Sequence, residues 1–242
     1  AELSRPPSSI WWSGIAAGLA ISMSLVMEAM LREHLPDTDW RPLVENLGYA
    51  AGFLIVMLSR LQLFTENTVT AVLPTLAEPC RRTFLGTGRL WSTVFLANMA
   101  GTLIAAIFWT YGGSLPDAVQ ATTLDLSLHV AGWGPGETFL KALPAGFLIA
   151  AIVWMMPSSE GSEFWVILFI TYVIALGDFA HVVVGSAELF IVALSGEESI
   201  FKLVVMNLLP ALAGNIIGGA GLFAILAWGQ VHEEIDEDSS QG

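Results

Sequence analysis

Two short polar stretches interrupt otherwise apolar sequence: Leu63-Phe64-Thr65-Glu66-Asn67-Thr68, and Gly177-Asp178-Phe179-Ala180-His181 followed by Gly185-Ser186. Inside a bilayer, an interrupted helix survives only where protein buries the break or a wet cavity reaches it. Two breaks at corresponding places in the two halves of a chain point to a transport site near the bilayer midplane. His181 has the richest chemistry of the set. An ionisable side chain at membrane depth is expensive, and is a functional candidate for that reason. Burial favours neutral imidazole, whereas an approaching anion favours imidazolium. Such a histidine can donate a hydrogen bond or a proton to an anion. The competing reading, a histidine satisfied by a backbone carbonyl with no part in transport, has equal weight from position alone.

Thr65 in the other break can donate its hydroxyl to an anion or to His181. Glu66 and Asn67 follow it, and such residues also serve to satisfy the backbone groups of an unwound segment. A half-helix starting after Thr65 would aim its amides and positive dipole end at the same point. Asp178 could orient His181 or repel an anion. Lys141 and Lys202 stand near the starts of apolar runs, where snorkelling is the simpler expectation and a cationic vestibule the alternative.

The frame that must position these residues is a membrane frame. Of 242 residues, 55% are hydrophobic and 13% charged, against about 25% charged in a soluble domain. Six apolar runs are long enough to cross about 30 Å of hydrocarbon: about 10–31, 43–61 with its continuation to 78, 87–111, 137–157, 163–195 with its break, and 200–229. The fold expected is therefore an all-α integral membrane protein with six transmembrane helices. The second and fifth are broken. Ile15–Ile21 resembles Leu143–Ile149, and Asn98–Ile104 resembles Ala211–Ile217. With three spans per half, the halves must lie in opposite orientations, an inverted 3+3 repeat over about 10–111 and 137–229. Residues 1–231 then form one transmembrane domain, and 232–242 an acidic cytoplasmic tail. Arg81, Arg82 and Arg89 place the loop between spans two and three, and with it both termini, in the cytoplasm. The loop expected over 112–136 has no Lys or Arg.

Several classes drop out. Nine Lys and Arg form no basic stripe, so a nucleic-acid partner is not expected. Cys80 is the single cysteine, which excludes an intrachain disulfide and a paired-thiol metal or redox site. With no Gly-rich phosphate loop, HExxH or nucleophile elbow, neither enzyme chemistry nor a cofactor is indicated.

The chain resembles the formate/nitrite transporter family over nearly its whole length, and within it a divergent YfdC-like branch. Leu63-Phe64-Thr65 is similar to the Leu-Phe-Thr loop that interrupts the family's second helix. Phe179-Ala180-His181 is similar to its Phe-Glu-His break in the fifth. Asn207-Leu208-Leu209-Pro210 with Gly214-Asn215-Ile216-Ile217-Gly218-Gly219 is similar to its sixth-helix signature. The resemblance implies an aquaporin-like homopentamer in the bacterial inner membrane, with one pore per protomer for small monovalent weak acids of the formate, nitrite and hydrosulfide class. It implies that Thr65 and His181 face each other in the pore, with proton coupling through His181. Leu63 and Phe64 would form its constrictions, Phe179 would line it, and Glu66, Asn67, Asp178, Lys141, Asn207 and Asn215 would lie near it. The family's Glu before the histidine is Ala180 here, and its Asn after the histidine falls on Gly185. Its fourth-helix Asn falls on Gly146, and its outer Lys falls near His129 and Val130. A non-conducting membrane scaffold of the same fold and a neutral-solute pore remain as alternatives. The latter is disfavoured because no Asn-Pro dipeptide occurs.

Overall fold

A computed structural model describes residues 5–230; the acidic tail expected over 232–242 lies outside the described residues. Among those residues every regular element is helical. Four stretches are long and apolar enough to cross a membrane: Pro7–His34, Arg81–Tyr111, Pro135–Ser158 and Ile200–Gln230. The first comprises α1 (Pro7–Ile21) and α2 (Met23–His34), the second is α7 (Arg81–Tyr111), and the third is α9 (Pro135–Met155) with a tight final turn. The fourth comprises α12 (Ile200–Leu203), α13 (Leu209–Ile216) and two wider π-helical stretches, Val204–Leu208 and Ile217–Ala224. Pro210 has no N–H to return to the preceding turn, so the helix widens just ahead of it.

The remaining apolar helices are short. α4 (Ala50–Leu58) is followed after a gap by α5 (Asn67–Thr70) and α6 (Val72–Ala77). α10 (Glu163–Leu176) is followed after a gap by α11 (Val182–Leu194). A helix of 14 residues extends only about 21 Å, so neither α10 nor α11 crosses a bilayer alone. α3 (Arg41–Glu45) is a single turn.

Where a loop was expected over 112–136, the chain forms α8 (Asp117–Ala131), which packs on α2 and α11. Its buried Thr123 and Ser127 hydroxyls return to the carbonyls of Val119 and Thr123. That internal bonding lets a polar-looking segment sit against apolar neighbours.

Small residues bring the long helices into backbone contact. A Cβ on Gly18 would strike the Asn98 carbonyl, and one on Gly101 the Ile15 carbonyl. In the other half, Gly146 meets the Asn215 carbonyl and Gly218 the Leu143 carbonyl in the same way. In lipid, such close approach replaces the hydrophobic drive as the source of helix association.

Candidate pore site

Both helix gaps begin with the same turn. At the end of α4, the Leu61 N–H bonds the Val56 carbonyl at 2.9 Å and the Arg60 N–H bonds that of Met57 at 3.1 Å. At the end of α10, the Phe179 N–H bonds Ile174 at 3.0 Å and the Asp178 N–H bonds Ala175 at 2.9 Å. This crossed pair is the Schellman pattern, whose turning residue takes left-handed backbone and is usually glycine. Here those residues are Arg60 (φ 52°) and Asp178 (φ 54°).

A buried asparagine on a long helix then closes each gap. Asn98 of α7 accepts from the Phe64 N–H at 2.9 Å and donates to the carbonyls of Gly14 (2.8 Å) and Gln62 (2.9 Å). Asn215 of α13 accepts from the Val182 N–H at 2.8 Å and donates to Ala142 (2.8 Å) and Ala180 (2.9 Å). Each amide thus satisfies an N–H and a carbonyl of the gap and ties them to a carbonyl of a neighbouring long helix, Gly14 of α1 or Ala142 of α9. Both asparagines are fully buried.

The two gaps meet at Thr65 and His181. The Thr65 Oγ1 and His181 Nε2 atoms are 2.8 Å apart, and both residues are buried. His181 also caps α11, its Nδ1 accepting from the Val184 N–H at 3.3 Å. Because Nδ1 is an acceptor, the neutral ring carries its proton on Nε2 and donates it to Thr65. The Thr65 hydroxyl proton is then left to point elsewhere. Phe53 packs edge-on to the imidazole at 4.9 Å.

Leu63 and Phe64 are buried, and the Phe64 ring is held between Trp91 (6.0 Å) and Phe95 (5.3 Å) of α7. Phe179 folds back over Gly177, where even a Cβ would come within 2.7 Å of its ring. One cavity of about 80 Å³ reaches Phe179, His181, Asn207 and Trp133. A second, of about 660 Å³, is lined by Arg60, Gln62, Glu66 and Asn67. Leu63, Phe64 and Thr65 line neither of these two cavities.

The other sequence candidates fall as follows. Asn67 donates to Gln62 Oε1 (3.2 Å) and the Leu63 carbonyl (2.9 Å), holding the turn before α5. Asn207 donates to the carbonyls of Val130 and Trp133 at the rim of the small cavity. Asp178 does not bond His181. Its carboxylate bonds Lys141 Nζ at 2.6 Å and lies 3.3 Å from His129 Nε2. The Lys141 ammonium also sits over the Trp133 indole at 4.6 Å, beside the small cavity.

One expectation is overturned. The amides at the start of α5 do not aim at a ligand, because those of Asn67, Thr68, Val69 and Thr70 all bond carbonyls of residues 63–66. The gap winds through consecutive turns into α5, and those turns consume the N–H groups. Sequence reading also missed Phe53, Asn98, Tyr49, Glu28 and Glu188. The two glutamates and Asn98 carried a signal, each a polar side chain inside an apolar run.

Residues 1–229 match the model of the family described as formate/nitrite transporter. The chain belongs to the formate/nitrite transporter family. The inner membrane protein YfdC of Escherichia coli (strain K12) is 38% identical, over 97% of this chain and 76% of that protein. The formate channel FocA of Haemophilus influenzae is 26% identical, over 90% of this chain and 85% of that one. A solved structure of a pentameric formate channel with formate bound superposes with a TM-score of 0.80 at 20% identity, covering 93% of this chain and 97% of that one. That likeness establishes the fold of this formate/nitrite transporter family member.

Proposed function

We propose that this protein is a transmembrane channel or transporter for small monovalent weak-acid anions, of the formate, nitrite and hydrosulfide class. The observation that carries this is the buried Thr65–His181 pair, set at the meeting of two helix gaps with a cavity on either hand. The Thr65 hydroxyl proton is the group available to an anion, and the Nε2–H behind it polarises that hydroxyl. A bare anion in an apolar passage has a desolvation cost of several kcal/mol. Hydrogen bonding offsets part of this cost, and neutralisation most of it.

Proton delivery has a structural condition. Neutral His181 has no proton to spare, so the ring must first take one at Nδ1. That nitrogen now accepts from Val184, so protonation trades the helix cap for a donor. The small cavity reaches His181 and is the side from which that proton comes.

The wider architecture belongs to the same reading. The chain has six spans, with α4 to α6 and α10 to α11 as the two broken ones, in an inverted repeat of about 10–111 and 137–229 within one domain. The paired Schellman turns and asparagine clamps support it, with Gly18 answering Gly146 and Asn98 answering Asn215 rather than Ala211. Five copies assemble in a bacterial inner membrane with both termini cytoplasmic. The small cavity then opens outward, and residues 232–242 form a cytoplasmic tail. Leu63, Phe64 and Phe179 narrow the passage.

The test is flux. Purified protein in liposomes should carry formate and nitrite down a gradient, faster at pH 5 than at pH 8, and exclude sulfate. A protein that inserts and assembles but carries none of the small weak acids would establish the scaffold reading instead.

A further inference from the structure

The small outer cavity is acidic, which is unexpected at the mouth of an anion pathway. Glu28 of α2 and Glu188 of α11 both line it, together with Tyr49. Glu188 is 8% exposed, and among the described residues neither carboxylate makes a hydrogen bond or ion pair. Glu188 stands seven residues after His181, two helical turns along the same face. Between them is Gly185, where a Cβ would lie 3.8 Å from Glu188 Oε2, so the carboxylate leans along an open wall toward the imidazole.

The other charged groups nearby are engaged. Asp178 is bonded to Lys141 and faces His129, Arg32 pairs with Asp125, and Glu45 pairs with Arg41. Glu188 is a buried acid without a hydrogen-bonding partner, with the half-buried Glu28 beside it on the same wall, and a carboxyl group is costly to leave so.

The same wall shows what would satisfy them. Lys141 places an ammonium group between the Asp178 carboxylate and the face of Trp133. Carboxylate plus aromatic ring is the combination that holds ammonium groups. Glu28, Glu188 and Tyr49 repeat those elements across the cavity with no ammonium of their own. A volume of about 80 Å³ suits a few waters or one small ion.

We propose that Glu28 and Glu188 form a binding site for a small monovalent cation of the ammonium class in the outer vestibule. When filled, the site cancels the field that opposes an approaching anion; when empty, that field stands. Binding at this site does not depend on what passes Thr65 and His181, so its test is separate from the flux test.

Methylammonium chloride should be titrated calorimetrically into the purified full-length oligomer at constant ionic strength, with sodium chloride as the balancing salt. Saturable binding is expected. Glu188→Gln and Glu28→Gln keep the side-chain shape and should each weaken it by about tenfold or more, the scale of losing one charged hydrogen bond. Asp117→Asn, away from the cavity, should bind as wild type. Elution as the same oligomer verifies folding of each variant, and either glutamine variant suffices for the test. The absence of saturable methylammonium binding, or equal binding by both glutamine variants, overturns the site. Equal competition by sodium and methylammonium overturns the ammonium class.

Discussion

Arg60 and Asp178 occupy the same position in two turns of the same design, with φ of 52° and 54°. Aspartate tolerates left-handed backbone through its short polar side chain, whereas arginine has no such relief. The hydrogen-bond frame around them repeats closely, down to the asparagine that closes each gap. The charge does not repeat. Arg60 lines the large cavity, while Asp178 stands with Glu28 and Glu188 at the small one. The two regions teach that backbone geometry and electrostatics are separable here. A duplicated frame holds the site, and unlike side chains give its two approaches different fields.

If the frame is shared, breaking either clamp should have a similar and large effect. Asn215→Ala strips partners from three backbone groups, and Asn98→Ala does the same in the other half. Each should lose about 3 kcal/mol or more, seen as a lower melting temperature and poor oligomer recovery in detergent. If one variant melts like wild type, the frame is not shared.

The chemistry, unlike the frame, should rest on one side. His181→Ala should leave the oligomer intact but lower weak-acid flux by about a hundredfold, equivalent to about 3 kcal/mol of barrier. Wild-type flux should rise as external pH falls from about 8 to 5, because the proton that the ring must take up at Nδ1 before it can give one to the anion becomes more available from outside; the variant should respond little. Unchanged flux with an unchanged pH profile would return His181 to the role of a packed helix cap.

A smaller effect tests the field at the small cavity. Lys141→Ala frees the Asp178 carboxylate and should reduce anion flux about two- to fivefold at low ionic strength. The difference should fade in physiological salt, where screening acts over about 8–10 Å. Salt-independent loss would point to lost packing on Trp133.

The smallest effect fixes which cavity faces out. Cys80 is exposed at the start of α7, and the Thr83 amide and hydroxyl, with the Arg82 amide, hold its thiol below the ordinary range. Its thiolate therefore persists to lower pH than a free cysteine's, and Thr83→Ala should move the alkylation profile to higher pH. An impermeant maleimide should leave Cys80 untouched in intact cells and modify it in inverted vesicles. The reverse pattern would exchange the two vestibules.

The sequence by itself determined the membrane class, the long apolar stretches and the two interruptions, because lipid enforces hydrophobic length and burial of any break over stretches of about 20 residues. The quoted motifs led to Thr65 and His181, and the structure puts them in contact at 2.8 Å. Contacts between distant residues were not legible. The apolar match of Asn98 with Ala211 is one helical turn from the match made by the clamps, since short runs of Ala, Leu and Gly look alike in any register. That turn separates an ordinary apolar residue from Asn215, which closes a gap. α8 was hidden because its hydroxyls bond within the helix. The packing of α8 against α2 and α11, in turn, walls the cavity where Glu28 and Glu188 meet across 160 residues of chain. Local pattern records whether a residue can be buried. Which buried groups face one another depends on helix packing, and only the tertiary structure decided that.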